Sequence, residues 1–173
     1  MAATALTAPS PAHANPVTIC SGTPIPSGYV VIAIGTHWSC GSGSFNTRTI
    51  TIPGPTETVC SSSPIPSGYV VVANSTHTIC GNSSLNRKMI KIPGVAEEIC
   101  GNSLMPSGYV VVANSTHAIC GNLSFNRRSI KIPGQSEQVC SNSPIPVGYI
   151  VTATSTSSAC GLTSLNTKTI LRL

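Results

Sequence analysis

The chain has 173 residues, a net charge of +5 and only 8% charged residues, with no Asp at all. A thin basic excess with no aromatic platform and no helix of basic spacing argues against a nucleic-acid partner, and the missing Asp argues against calcium loops. One Trp, two Phe and four Tyr leave Val and Ile to build the core.

Residues 1–19 read as a leader, either a signal-peptide remnant or an N-terminal arm. Ala12-His13-Ala14 has the small-x-small pattern of a signal-peptidase site, but the basic and long apolar regions of a full signal are missing upstream. No stretch is long and apolar enough to span a membrane.

From Cys20 onward the chain is a repeat. Cysteines stand at 20, 40, 60, 80, 100, 120, 140 and 160, and the 40-residue period has no insertion or deletion. The units are 20–59, 60–99, 100–139 and a shortened 140–173. Units of that size seldom fold on hydrophobic burial alone and usually need staples or neighbours.

Within a unit the elements read as strands. "GYVVVAN" (68–74) is rich in β-branched residues, "LNRKMIKI" (85–92) alternates, and "EEIC" (97–100) is a third short strand. Pro66-Ser67-Gly68 and Pro93-Gly94 punctuate them. The expected fold is all-β: four tandem disulfide-stapled mini β-sheet repeats, stacked or solenoid-like. The Val run is apolar on both faces, with Tyr69, Val71 and Ala73 pointing one way and Val70 and Val72 the other. A three-stranded sheet buries one face within itself, so the second must pack on another unit or another chain. A two-layer sandwich closed within the chain is the alternative.

An even, regular set of eight cysteines points to an oxidising compartment. Pairing within units (Cys20–Cys40, Cys60–Cys80, Cys100–Cys120, Cys140–Cys160) uses every thiol. The shifted pairing leaves Cys20 and Cys160 free to link chains. A loop of this length stabilises by roughly 3 kcal/mol per bridge.

His37, His77 and His117 each precede a cysteine by three residues, a spacing that suits a metal-ligand pair or a His-activated thiol. A disulfide removes the thiolate that both need, and the fourth unit has Ser157 there. Glu57, Glu97, Glu98 and Glu137 recur periodically, unlike the paired carboxylates of a glycosidase cleft, and suit pairing with Lys88, Lys91, Arg127, Arg128 or Lys131. The expectation is therefore a non-enzyme with no metal and no cofactor.

Sequons begin at Asn74, Asn82, Asn114 and Asn122, candidates for N-linked glycans. Asn46, Asn86, Asn126 and Asn166 suit side-chain to backbone bonding at the entry to the third strand; an isopeptide link is the exotic alternative. Tyr29, Tyr69, Tyr109 and Tyr149 are either turn-packing residues or ligand-stacking ones.

The frame "PIPSGYVV", then "CG", "NTKTI" and "PG" up to the next cysteine, resembles tandem cysteine-containing repeats of predicted secreted bacterial proteins with no assigned function. The resemblance covers residues 20–173, departs at "LMPSGY" and "PVGY", and implies no catalytic residue.

Strict periodicity, low charge and doubly apolar strands together suggest a secreted structural repeat protein that associates with itself in an extracellular fibre or surface assembly. The leader arm is expected to add a strand to an open edge at "TKTILRL" (167–173) of a neighbour. The alternative is an extracellular carbohydrate- or surface-binding module that meets cell-surface glycans through its tyrosines.

Overall fold

The computed structural model describes residues 15–173. These form twelve strands and four single 3₁₀ turns, grouped as four three-stranded antiparallel sheets. The first sheet holds β1 (Val17–Cys20), β2 (Val30–Gly35) and β3 (Thr47–Thr51). The second holds β4 (Thr56–Cys60), β5 (Val70–Ser75) and β6 (Arg87–Lys91). The third holds β7 (Ala96–Cys100), β8 (Val110–Ser115) and β9 (Arg127–Lys131), and the fourth β10 (Ser136–Cys140), β11 (Tyr149–Ser155) and β12 (Thr167–Arg172). Val17 to Ile19, read above with the leader, therefore lie in a strand of the first sheet. Ala12-His13-Ala14 and the rest of residues 1–14 lie outside the described residues.

In every sheet the third strand of the unit lies in the middle, as in β4-β6-β5. The first two strands are edges, joined through it and through the disulfide. This overturns the reading of "TKTILRL" as an open edge. β12 is hydrogen-bonded along both sides, by β10 and by β11, and has no free edge to receive a donated strand.

All four within-unit disulfides form, with Cα atoms 5.2 to 5.4 Å apart, and no cysteine is free. Each ties the end of an edge strand to the 3₁₀ turn that follows the opposite edge strand. Four such bridges fit an oxidising environment.

The turn before each Val strand has a plain cause. Tyr69 N–H donates to the Pro66 carbonyl at 3.2 Å, and Gly68 sits between them at φ +88°. That positive φ at the third turn position is where glycine is favoured.

The Val strand is bulged in all four units, and the register against the middle strand slips between Val71 and Ala73. Val71 stands opposite Ile90 and Ala73 opposite Met89, so they lie on opposite faces. The expected shared face of Val71 and Ala73 is thus corrected: the extra residue, Val72, breaks the alternation.

The cores are built across the units. Val71 packs with Val59 and Ile90 of its own sheet, with Val30 of the preceding unit and with Cys100 of the following one. One unit on, Val111, Ile99 and Ile130 are joined by Val70 from before and Cys140 from after. Adjacent valines thus point to different cores, Val71 into its own unit and Val70 into the next. The chain is a linear stack of interdependent units, and the closed sandwich is set aside.

Candidate functional site

The surface with the most chemistry in common from unit to unit is the seam between consecutive units. Val71 N–H, on the outer edge of β5, donates to Ser103 Oγ of the next unit at 2.9 Å. Val31 N–H does the same to Ser63 at 2.8 Å and Val111 N–H to Ser143 at 2.9 Å. Each of these serines is buried. An unpaired edge amide against an apolar core costs about 1–3 kcal/mol if left dry, so the serine both satisfies the edge and fixes the register of the next unit. These serines went unnoticed in the sequence, although one stands three residues after the first cysteine in units two to four; the first unit has Thr23.

Further polar links cross the seam. Lys91 pairs with Glu97 at 2.5 Å and Lys131 with Glu137 at 2.7 Å, as the sequence suggested, while Arg127 meets Glu98 within its own sheet. Such part-exposed pairs contribute under about 1 kcal/mol each. Asn74 Nδ2 donates to the Cys120 carbonyl at 3.1 Å, and Asn114 Nδ2 to the Cys160 carbonyl at 3.2 Å. Two of the four sequon asparagines are therefore seam residues, half-buried with their amides engaged. The other two, Asn82 and Asn122, are exposed in loops.

The tyrosines also face the seam. Tyr69 packs its ring on the Val71–Ile90 core and points its hydroxyl at the Pro53 and Gly54 carbonyls, 3.1 and 2.8 Å away. Tyr109 and Tyr149 bind the next two Pro-Gly links in the same way. Burial, and secondarily the Glu57 carboxylate, raise the Tyr69 phenol above its ordinary value. Tyr29 is half-buried beside the Val31–Ile50 core. The ring edges of Tyr69 and Tyr109 border a shallow hollow of about 430 Å³ with Pro66, Pro93, Met105 and Pro106.

The histidines cap the 3₁₀ turns. His77 Nδ1 accepts from Ile79 N–H at 3.1 Å, and His37 and His117 repeat the bond. Ser157 Oγ accepts from Ala159 N–H at 3.3 Å in the fourth unit, which explains how a serine stands in for a histidine. The neighbouring cysteines are all oxidised. Among the described residues no three His, Cys or Glu side chains gather as a metal site.

Asn86 is buried and fully used. Its Oδ1 accepts from His77 N–H at 2.9 Å, and its Nδ2 donates to the His77 and Gly81 carbonyls at 3.1 and 2.7 Å. Asn46, Asn126 and Asn166 do likewise, so these amides organise the loop that carries the cysteine. The residue before each of them, Phe45, Leu85, Phe125 or Leu165, is left-handed at φ 49° to 55° and half-exposed. Such a backbone costs about 1 kcal/mol or more for these residue types.

No protein-family model matches the chain, nor does any curated protein or solved structure. The geometry alone therefore bears on function. No helix among the described residues is long and apolar enough to cross a membrane.

Proposed function

We propose that the chain is a secreted structural repeat protein, a subunit of an extracellular fibre or surface assembly. The single observation that carries this reading is the shared core: each of the inner units leaves part of its apolar surface for the unit before and the unit after. A protein held together by the same seam three times has a surface suited to further copies of itself. Sparse charge gives little repulsion between chains, and four disulfides suit life outside the reducing cytoplasm.

Light scattering and negative-stain microscopy of the oxidised protein, over a wide concentration range and with and without reductant, test the proposal. Elongated multimers are expected under oxidising conditions and their loss on reduction. A particle that stays monomeric at high concentration refutes it.

A second reading is an extracellular carbohydrate-binding module. It draws on a repeated hollow: the one between Tyr69 and Tyr109 recurs, at about 290 Å³, between Tyr109 and Pro146. Glycan binding that is lost in Tyr109→Ala, with the fold intact, favours this reading; no binding to polysaccharides refutes it.

A further inference from the structure

The two ends of the described stack are complementary. In the first three units the paired valines of the Val strand (Val30 and Val31, Val70 and Val71, Val110 and Val111) are buried by the unit that follows. Their counterparts on β11, Ile150 and Val151, are 42% and 46% exposed. At the other end, Ile19 holds the place of Val59, Ile99 and Val139, which are fully buried, yet Ile19 is only half-buried. Cys20 and Cys40 are both partly open, whereas Cys60, Cys100 and Cys140 are buried beneath a preceding Val strand. Around them lies a hollow of about 440 Å³, lined by Thr18, Ile19, Cys20, His37, Cys40 and Thr47 among others. Thr23, the counterpart of the buried seam serines, is exposed.

We infer that a second copy of this chain docks head to tail, seating Ile150 and Val151 of one copy in the hollow over Ile19 and the Cys20–Cys40 disulfide of the next. The three internal seams are the template. Ile150 takes the part of Val70 toward the receiving Ile19 and Ile50. Val151 covers the disulfide as Val71 covers Cys100, and its N–H meets Thr23 Oγ1 as Val71 N–H meets Ser103. The joint is face packing with one edge hydrogen bond, and no strand is donated. The Lys91–Glu97 pair and the tyrosine bond to a Pro-Gly link have no counterpart, since Leu171 and Val17 stand at the paired positions and no such link joins two copies. One amide bond is also missing, because Thr154 stands where Asn74 and Asn114 reach a cysteine carbonyl. The seam between units one and two also lacks it, with Ile34 at that place, and is closed all the same.

This inference rests on the self-assembly reading above and names its surface. The test uses two variants of the oxidised full chain, Val151→Lys on one face and Thr23→Lys on the other, followed by sedimentation velocity. Both positions are exposed, so far-ultraviolet circular dichroism should match the parent. Each variant alone should lose association about a hundredfold or more, because a lysine charge is forced into an apolar contact. Mixed one to one, they should form heterodimers and stop there, since the one open tail and the one open head are used up and only the two lysine-bearing faces are left. Thr154→Asn should tighten assembly of the parent about fivefold, the worth of one hydrogen bond. Parent protein that assembles while Val151→Lys assembles equally well overturns head-to-tail docking and leaves self-assembly standing. Single variants that both lose assembly but do not pair when mixed also overturn it. A parent that never assembles overturns both.

Discussion

Val71 and Val151 occupy the same place in two units and differ in what lies over them. Val71 is 1% exposed and Val151 46% exposed. Truncating each to alanine removes two carbons. At about 0.8 kcal/mol per buried CH₂, Val71→Ala loses roughly 1.6 kcal/mol of transfer energy. A void of roughly 40 Å³ in a closed core adds about 1 kcal/mol. The expected cost of Val71→Ala is therefore about 2–3 kcal/mol. Val151→Ala gives up only the buried half of its transfer energy and encloses no void, so about 0.8 kcal/mol is expected.

Urea unfolding of the oxidised chain, at concentrations dilute enough for single particles, measures the difference. With a slope of about 2 kcal/mol/M, Val71→Ala should move the midpoint down by about 1 M and Val151→Ala by less than about 0.5 M. Equal shifts would refute the idea that the following unit completes each core, because residue type and strand position are the same in both. The slopes must agree with the parent's for the comparison to stand, since a linear stack can lose cooperativity.

Limited reduction followed by alkylation and peptide mapping should label Cys20 and Cys40 first, since the other bridges each bury their first sulfur under a preceding Val strand. Expressed in a host that attaches N-linked glycans, the chain should be modified at Asn82 and Asn122 and not at Asn74 or Asn114, whose amides are tied into seams; glycopeptide mass spectrometry reads this directly. Alkaline stability should report on Tyr69. Its folded phenol holds its proton above the ordinary value of 10.0, so the unfolded chain ionises first. Its contribution is complete below about pH 10 and is lost as pH rises through the raised value. Tyr69→Phe should flatten that limb of the pH profile, and an unchanged limb would count against the assignment.

Much of this architecture was legible because it follows from local rules. Strand type came from β-branched runs between Pro and Gly. The disulfide pairing came from symmetry, since the within-unit scheme alone leaves no odd thiol. The need for a neighbour came from Val70 and Val71, adjacent valines that no single sheet buries together. Strand order was not legible. Sequence adjacency suggests that the last strand is an edge, but a disulfide holds the first two strands of a unit on either side of the third. The bulge was equally hidden: "GYVVVAN" alternates perfectly on paper, and only pairing with Ile90 and Met89 shows that Val72 is the extra residue. Ser103 escaped notice because a serine in a Ser-rich turn has no local signature; its partner, Val71 N–H, lies in another unit.

These hidden features are the ones that make the seam. A regular strand would alternate strictly, so Val71 and Ala73 would share a face. The bulge separates them, while Val70 and Val71, adjacent and before it, keep the ordinary alternation and aim at successive cores. The central placement of the third strand leaves the Val strand as an edge, with an amide to offer the next unit's serine. The cysteine metre then acquires a second role. Cys100–Cys120 closes its own unit and also roofs the core around Val71 and Ile90. Breaking one bridge therefore loosens two units, the one it staples and the one before it. Cys20–Cys40 has no described unit before it, so its loss should cost less stability than the loss of Cys100–Cys120. Comparing the Cys20→Ala/Cys40→Ala and Cys100→Ala/Cys120→Ala double variants by urea unfolding distinguishes a staple that serves one unit from one that serves two, and equal losses would reduce every bridge to its own unit.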